Sequence, residues 1–163
     1  MTSESGCTLT DALQTGGIHH LHVKGRTKDA VLLAMVNVLR LPEDVDRDGL
    51  YRMLLAREAL ESTAVGEGIA IPHPRHPGTL PGDHPIVALC FLDKPVDFGA
   101  LDGLPVFALF ALISPTSKIH LHILSRIFFS LRQPEFKQCI VRHASSGEIL
   151  DVIRLIEAKI AEH

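Results

Sequence analysis

The sequence predicts an α/β fold of three layers, a mixed β-sheet sandwiched between α-helices. Two observations carry that expectation. The middle of the chain holds apolar runs of strand length with little alternation, Ile69 to Ile71, Ile86 to Leu92 and Val106 to Ile113, as strands covered on both faces have. Segments of helical periodicity stand before and after these runs, so helices are available to cover both faces. With 163 residues, 46% hydrophobic and 21% charged, residues 1–163 are read as one domain able to bury a core.

Taken in order, a short segment from Leu9 to Gln14 leads to Gly16 and Gly17, and then IHHLHV, Ile18 to Val23, reads as a strand. Thr27 is placed to N-cap a helix over Lys28 to Leu39, whose Val31, Leu32, Met35, Val36 and Leu39 recur at helical spacing ahead of Pro42. A second helix is expected from about Asp46 to Ala59. Asp102-Gly103 marks a turn before the last strand. Beyond Ser114 and Pro115 three helices follow: Lys118 to Leu131, a shorter one opened by Pro134, and Glu148 to Ile160, where Ser145 and Glu148 fit a capping box.

Composition narrows the function classes. A net charge of -3 gives no broad basic surface for nucleic acid or anionic membrane, so any phosphate chemistry is local. The longest apolar runs are far shorter than the roughly 20 residues that span a bilayer. No secretory signal is visible in MTSESGCTLTDAL. Cys7, Cys90 and Cys139 are odd in number and widely spaced, which points to a reducing cytoplasm without a disulfide framework or thiolate zinc site. Cys90 reads as a small core hydrophobe. No cofactor is expected.

Ten histidines are many, and most read as bland. His84, His143 and His163 are expected to be solvent-exposed, and His76 to decorate a proline-rich turn. His19, His20 and His22 resemble a metal cluster, but alternation on a strand puts His19 on the opposite face, leaving two ligands where a structural zinc takes four. His73 is different. GIAIPHPRHPG sets it where a short apolar strand ends against prolines, at the mouth of a sheet. His120 lies within or at the margin of an apolar arc formed by Leu121, Leu124, Ile127, Phe128 and Leu131, with His122 on the other side. Such a ring is either a satisfied core histidine or lines a pocket. Arg57 continues the stripe Leu50, Met53, Leu54 at i+7, where it either interacts with the helix dipole or brings a guanidinium fork toward His73, suited to a phosphoryl group. Two histidines and an arginine in these places can support covalent phosphoryl transfer.

LLAREALESTAVGEGIAIPHPR, Leu54 to Arg75, together with FGALDGLPV and SKIHLHIL, resembles the type 2 enzyme IIA domains of the bacterial phosphoenolpyruvate:sugar phosphotransferase system. That family includes mannitol- and fructose-type IIA domains and nitrogen-regulatory IIA proteins. The resemblance spans nearly the whole chain. It implies His73 as phosphoacceptor, with Arg57 and His120 as active-centre partners. It also implies a histidine phosphocarrier of HPr type as donor, and a IIB cysteine or a regulatory target downstream. Pro74 and Arg75 stand where the family commonly has Gly and Lys; Pro74 offers no backbone N–H, and Arg75 keeps the positive charge. The length leads us to expect a stand-alone IIA protein without fused IIB or IIC segments, nearer the nitrogen-regulatory branch, whose output is phosphorylation-dependent protein binding.

Two other classes compete. One is a binding domain that keeps the IIA fold without transfer. The other is a histidine-triad nucleotide hydrolase, suggested by His120-Leu121-His122 but opposed by Leu124 where a third histidine belongs and by a helical phase that separates the two rings.

Overall fold

The computed structural model describes residues 7–161. The chain runs α1 (Leu9–Gly16), β1 (Ile18–Leu21), α2 (Lys28–Val38), α3 (Arg47–Leu60), β2 (Ala64–Gly66), β3 (Ile69–Ala70), β4 (Ile86–Val96), β5 (Val106–Ile113), α4 (Ser117–Leu131), α5 (Pro134–Val141) and α6 (Ser146–Ala161). Among the described residues the strands form one sheet in the order β1-β4-β5-β3-β2. The β4–β5 and β2–β3 pairs are antiparallel, and β1–β4 and β3–β5 are parallel. The sheet is therefore mixed.

Alternation along the central strands divides the core in two. Val87, Leu89 and Phe91 of β4 with Ala108, Phe110 and Leu112 of β5 pack under α1, α4, α5 and α6. Ala88, Cys90 and Leu92 with Leu109, Ala111 and Ile113 pack under α2 and α3. Both faces of the sheet are thus covered, which explains why these strands carry apolar residues at successive positions. The result is the expected helix–sheet–helix sandwich. Cys90 is fully buried in it, and burial pushes its thiol up to about 12.

Local chemistry sets most boundaries. Thr27 caps α2, its hydroxyl accepting from the Ala30 amide at 3.2 Å. Thr116 caps α4 in the same way through Ile119. Ser145 accepts from the Glu148 amide at 3.2 Å, but the Glu148 carboxylate pairs with Arg142 rather than folding back, so only half of the capping box forms. The β2–β3 hairpin turns on Glu67 and Gly68, both with positive φ (58° and 84°), the pairing a two-residue type I′ turn demands. A Cβ on Gly68 would also meet the Phe107 ring at 2.5 Å.

The structure completes some expectations and corrects others. The Leu9 to Gln14 segment is part of a helix, α1, fastened from far along the chain: the buried Glu157 carboxylate accepts the Leu9 and Thr10 amides, each at 2.8 Å, and the Thr10 hydroxyl at 2.6 Å. Gly16 ends that helix against β4, so close that a Cβ there would lie 2.0 Å from the Val87 carbonyl oxygen. β1 stops at Leu21 rather than Val23, and β4 runs past Leu92 to Val96. β2 was not foreseen, because Ala64-Val65-Gly66 has little intrinsic strand preference and is held by its partner. On α4 the buried ridge is Ile123, Ile127, Ser130 and Leu131, while Leu121 and Phe128 are exposed. The expected arc was rotated, though His120 does sit at the margin of the true one, half-buried.

Candidate functional site

His73 follows β3 after Ile71 and Pro72, and the two residues of β3 pair in parallel with Ala108 and Leu109 of β5. The backbone around it is held on both sides. The Ile71 amide donates to the Thr63 carbonyl at 3.0 Å, and the Leu112 amide donates to the Pro72 carbonyl at 3.0 Å. Pro74, itself buried, stiffens the exit. The loop is tied back once more where the Gly78 amide donates to the Ser114 carbonyl at 3.0 Å.

The ring of His73 is half-buried, and its Nδ1 lies 2.7 Å from the Ile71 carbonyl oxygen. A carbonyl only accepts, so Nδ1 carries the proton and donates it, and Nε2 is left with a free lone pair. Burial of the ring holds its pKa below the ordinary 6.5; the Ile71 bond opposes that, the Arg57 guanidinium lowers it further, and Glu58 pulls the other way. The net direction favours the uncharged ring.

His120 comes from the first turn of α4, with its ring centroid 5.0 Å from that of His73 and the planes 49° apart. Burial, then the neighbouring His73, holds its pKa down as well. Arg57 lies in the last turn of α3, where its Nη1 donates to the Glu61 carbonyl at 2.6 Å. The helix-end interaction and a place in the field of His73 are therefore both present in one side chain. A neutral ring nitrogen, a second imidazole and a guanidinium converge at the end of β3 beside the N-terminus of a fifteen-residue helix, a setting suited to an anionic group.

Sequence reasoning passed over the residue that follows Arg57. The buried stripe of α3 is Leu50, Leu54, Glu58, not a stripe ending on Arg57. Glu58 is 6% exposed; its Oε2 accepts the Thr63 amide at 2.8 Å and its Oε1 the Thr63 hydroxyl at 2.6 Å, with Lys28 Nζ 3.4 Å away. The signal was available as a charged residue at i+4 from Leu54, inside the string RE-x(3)-ST.

The other histidines disperse. His19 Nε2 contacts the Gly16 carbonyl at 2.8 Å, His20 stacks on Phe91, and His22 meets Asp93 at 3.2 Å. Among the described residues no group of three or more His, Cys, Asp or Glu side chains is arranged to hold a metal. His122 contacts the Cys7 carbonyl at 2.9 Å, away from His120, and both lie on a helix rather than a strand, which removes the geometric basis for a histidine-triad hydrolase. His84 is exposed beside Asp83. His143 is exposed too, but its ring stacks on Phe91 and Phe107. His163 lies outside the described residues. No described helix is long and apolar enough to cross a membrane.

The chain is similar in sequence and in fold to several known proteins. A nitrogen regulatory protein of Pseudomonas aeruginosa is 39% identical over 144 residues, covering 86% of this chain and 90% of that one. The fructose-specific EIIABC component of Bacillus subtilis is 31% identical over 82% of this chain, which spans only 21% of that longer protein. Among solved structures, the nitrogen regulatory protein IIA-Ntr of Neisseria meningitidis superposes with a TM-score of 0.71 at 25% identity, over 92% of this chain and 97% of that one. An Escherichia coli enzyme IIA for mannitol, solved in complex with its phosphorylated enzyme IIB, shares the fold with a TM-score of 0.66 at 18% identity, over 83% and 93% of the respective chains. Residues 13–155 match the family described as the phosphoenolpyruvate-dependent sugar phosphotransferase system, EIIA 2, and the chain belongs to that family.

Proposed function

We propose that the protein is a IIA phosphocarrier, in which Nε2 of His73 takes a phosphoryl group from a phosphohistidine carrier of HPr type. The observation that carries this is the 2.7 Å contact of Nδ1 with the Ile71 carbonyl, which leaves Nε2 unprotonated in a ring that burial keeps neutral. In transfer, the Nε2 lone pair forms the N–P bond as the donor's N–P bond breaks. The Nδ1 proton stays on the ring, where the Ile71 carbonyl stabilises the positive charge that develops. Arg57 balances charge on the equatorial oxygens, and His120 donates a hydrogen bond to the phosphoryl group.

We read residues 1–163 as one domain acting in the cytoplasm. Likeness to nitrogen regulatory proteins supports a regulatory output, in which phosphorylation changes docking to a target protein or a IIB domain. Adding about two negative charges beside Arg57 and Arg75 reverses the local potential, enough to switch a binding surface. The test is intact-protein mass after incubation with phosphoenolpyruvate, enzyme I and HPr or its nitrogen-branch paralogue. One acid-labile phosphoryl adduct on wild type and none on His73→Ala is expected. A second reading, a IIA-fold binding domain without transfer, is favoured by Pro74, which supplies no amide beside the ring; it predicts no adduct with any donor.

A further inference from the structure

We propose that Glu58 is a positioning residue for His73, acting through Thr63 and Ile71 to hold the ring in the tautomer that frees Nε2. The proposal rests on His73 as the phosphoacceptor and extends the site by one residue that never touches the phosphoryl group.

A carboxylate only 6% exposed must be paired and hydrogen-bonded to be tolerated. Glu58 spends both oxygens on one residue, gripping Thr63 by its amide at 2.8 Å and its hydroxyl at 2.6 Å, while Lys28 from α2 supplies the counter-charge. The grip fixes the Thr63 peptide where the chain leaves α3. The Thr63 carbonyl then accepts the Ile71 amide at 3.0 Å, beyond the ladder of β2 and β3, and so anchors the backbone at Ile71, whose own carbonyl lies in the next peptide unit. The Ile71 carbonyl is the acceptor for His73 Nδ1 at 2.7 Å. Three consecutive links, the first of them a pair of hydrogen bonds, thus run from the buried carboxylate through Thr63 and Ile71 to the imidazole. A freely rotating histidine exchanges the proton between its two nitrogens, and only a fixed acceptor selects one of them.

Glu58 also acts through its charge. The groups that face His73 are Arg57 and Glu58 from α3 and His120 from α4, with Arg75 and His76 following in its own loop, while β5 presents no ionisable residue there. Glu58 is the one carboxylate acting on the ring among these, and its field favours the imidazolium.

Two variants of the full chain separate geometry from charge. Glu58→Gln keeps a carbonyl for the Thr63 amide and an amino group that the Thr63 hydroxyl can accept, so it preserves the grip and removes the charge. Glu58→Ala removes both. The His73 tautomer and titration are read by long-range proton–nitrogen correlation in the unphosphorylated protein, and the transfer rate with phosphorylated HPr-type donor. We expect Glu58→Gln to keep the single Nδ1–H tautomer with its titration midpoint moved to lower pH. We expect Glu58→Ala to show both tautomers and to accept the phosphoryl group about tenfold more slowly or worse. A single tautomer and wild-type rate in Glu58→Ala, or an unmoved midpoint in Glu58→Gln, overturns the proposal; if Glu58→Ala does not fold, the Glu58→Gln midpoint decides it. Because tautomer and midpoint are read without phosphate, failure of His73 to accept a phosphoryl group at all shows separately, in wild type.

Discussion

Among the described residues two pairs of histidine rings stand close together, and they differ in every respect except proximity. At the end of β3, His73 and His120 lie 5.0 Å apart, half-buried, with one nitrogen of His73 pinned to a carbonyl. At the β1 edge, His20 and His143 lie 6.4 Å apart, both exposed, with rings laid on the faces of Phe91 and Phe107. The contrast teaches that crowding of imidazoles does not make a nucleophile. Burial that keeps the ring neutral, and a fixed acceptor that decides which nitrogen is bare, are what the first pair has.

The comparison breaks most sharply at His73. His73→Ala is expected to abolish phosphoryl acceptance while changing unfolding free energy by no more than about 1 kcal/mol, since a half-buried ring at a turn contributes little core packing; mass spectrometry and urea denaturation check the two halves. His120→Ala is expected to slow transfer about 100-fold, the loss typical of one donor to a developing anion. If His120 were only a core histidine, stability would fall and the single-turnover rate would not.

A smaller effect separates the pairs by pH. The folded pKa of His73 lies below its ordinary 6.5, so the ring is neutral and competent above that value and loses competence only as pH falls further. The rate should therefore have its acid midpoint below 6.5. The sign for stability is the same: between the two pKa values the unfolded chain binds a proton that the folded chain does not, so the contribution is full above about 6.5 and declines as pH falls through that window. His73→Ala should remove this slope from a series of denaturation curves. Least of all should follow from replacing His20 and His143 together by Ala, which is expected to leave the transfer rate unchanged. A slowed rate there would erase the distinction between the pairs.

Much of this was legible from the residues. Unalternating runs at Ile86 and Val106 predicted strands covered on both faces, and Thr27 and Pro134 opened the helices they were expected to open. The place of His73 was readable because Gly68 and Pro72 bound a short apolar run. What escaped notice depends on partners distant in the chain. α1 is capped by a glutamate 148 residues from Leu9, and β2 exists because β3 pairs with it. The rotated face of α4 shows the same limit: Leu121, Phe128 and Ile123 are equally apolar, and only packing on the sheet decides that Ile123 goes in. Glu58 was overlooked because a charge on a helix usually reads as solvated, and its burial requires Lys28 and Thr63 to be brought to it.

The most direct test of His73 as nucleophile is to locate the phosphoryl group on the ring. Protein labelled with nitrogen-15 in its histidines, phosphorylated by an HPr-type donor and examined by proton–nitrogen and phosphorus spectroscopy, should show a phosphorus–nitrogen coupling at Nε2 of His73, with the proton retained on Nδ1. A phosphoryl group on Nδ1, on another histidine, or on none would contradict the assignment.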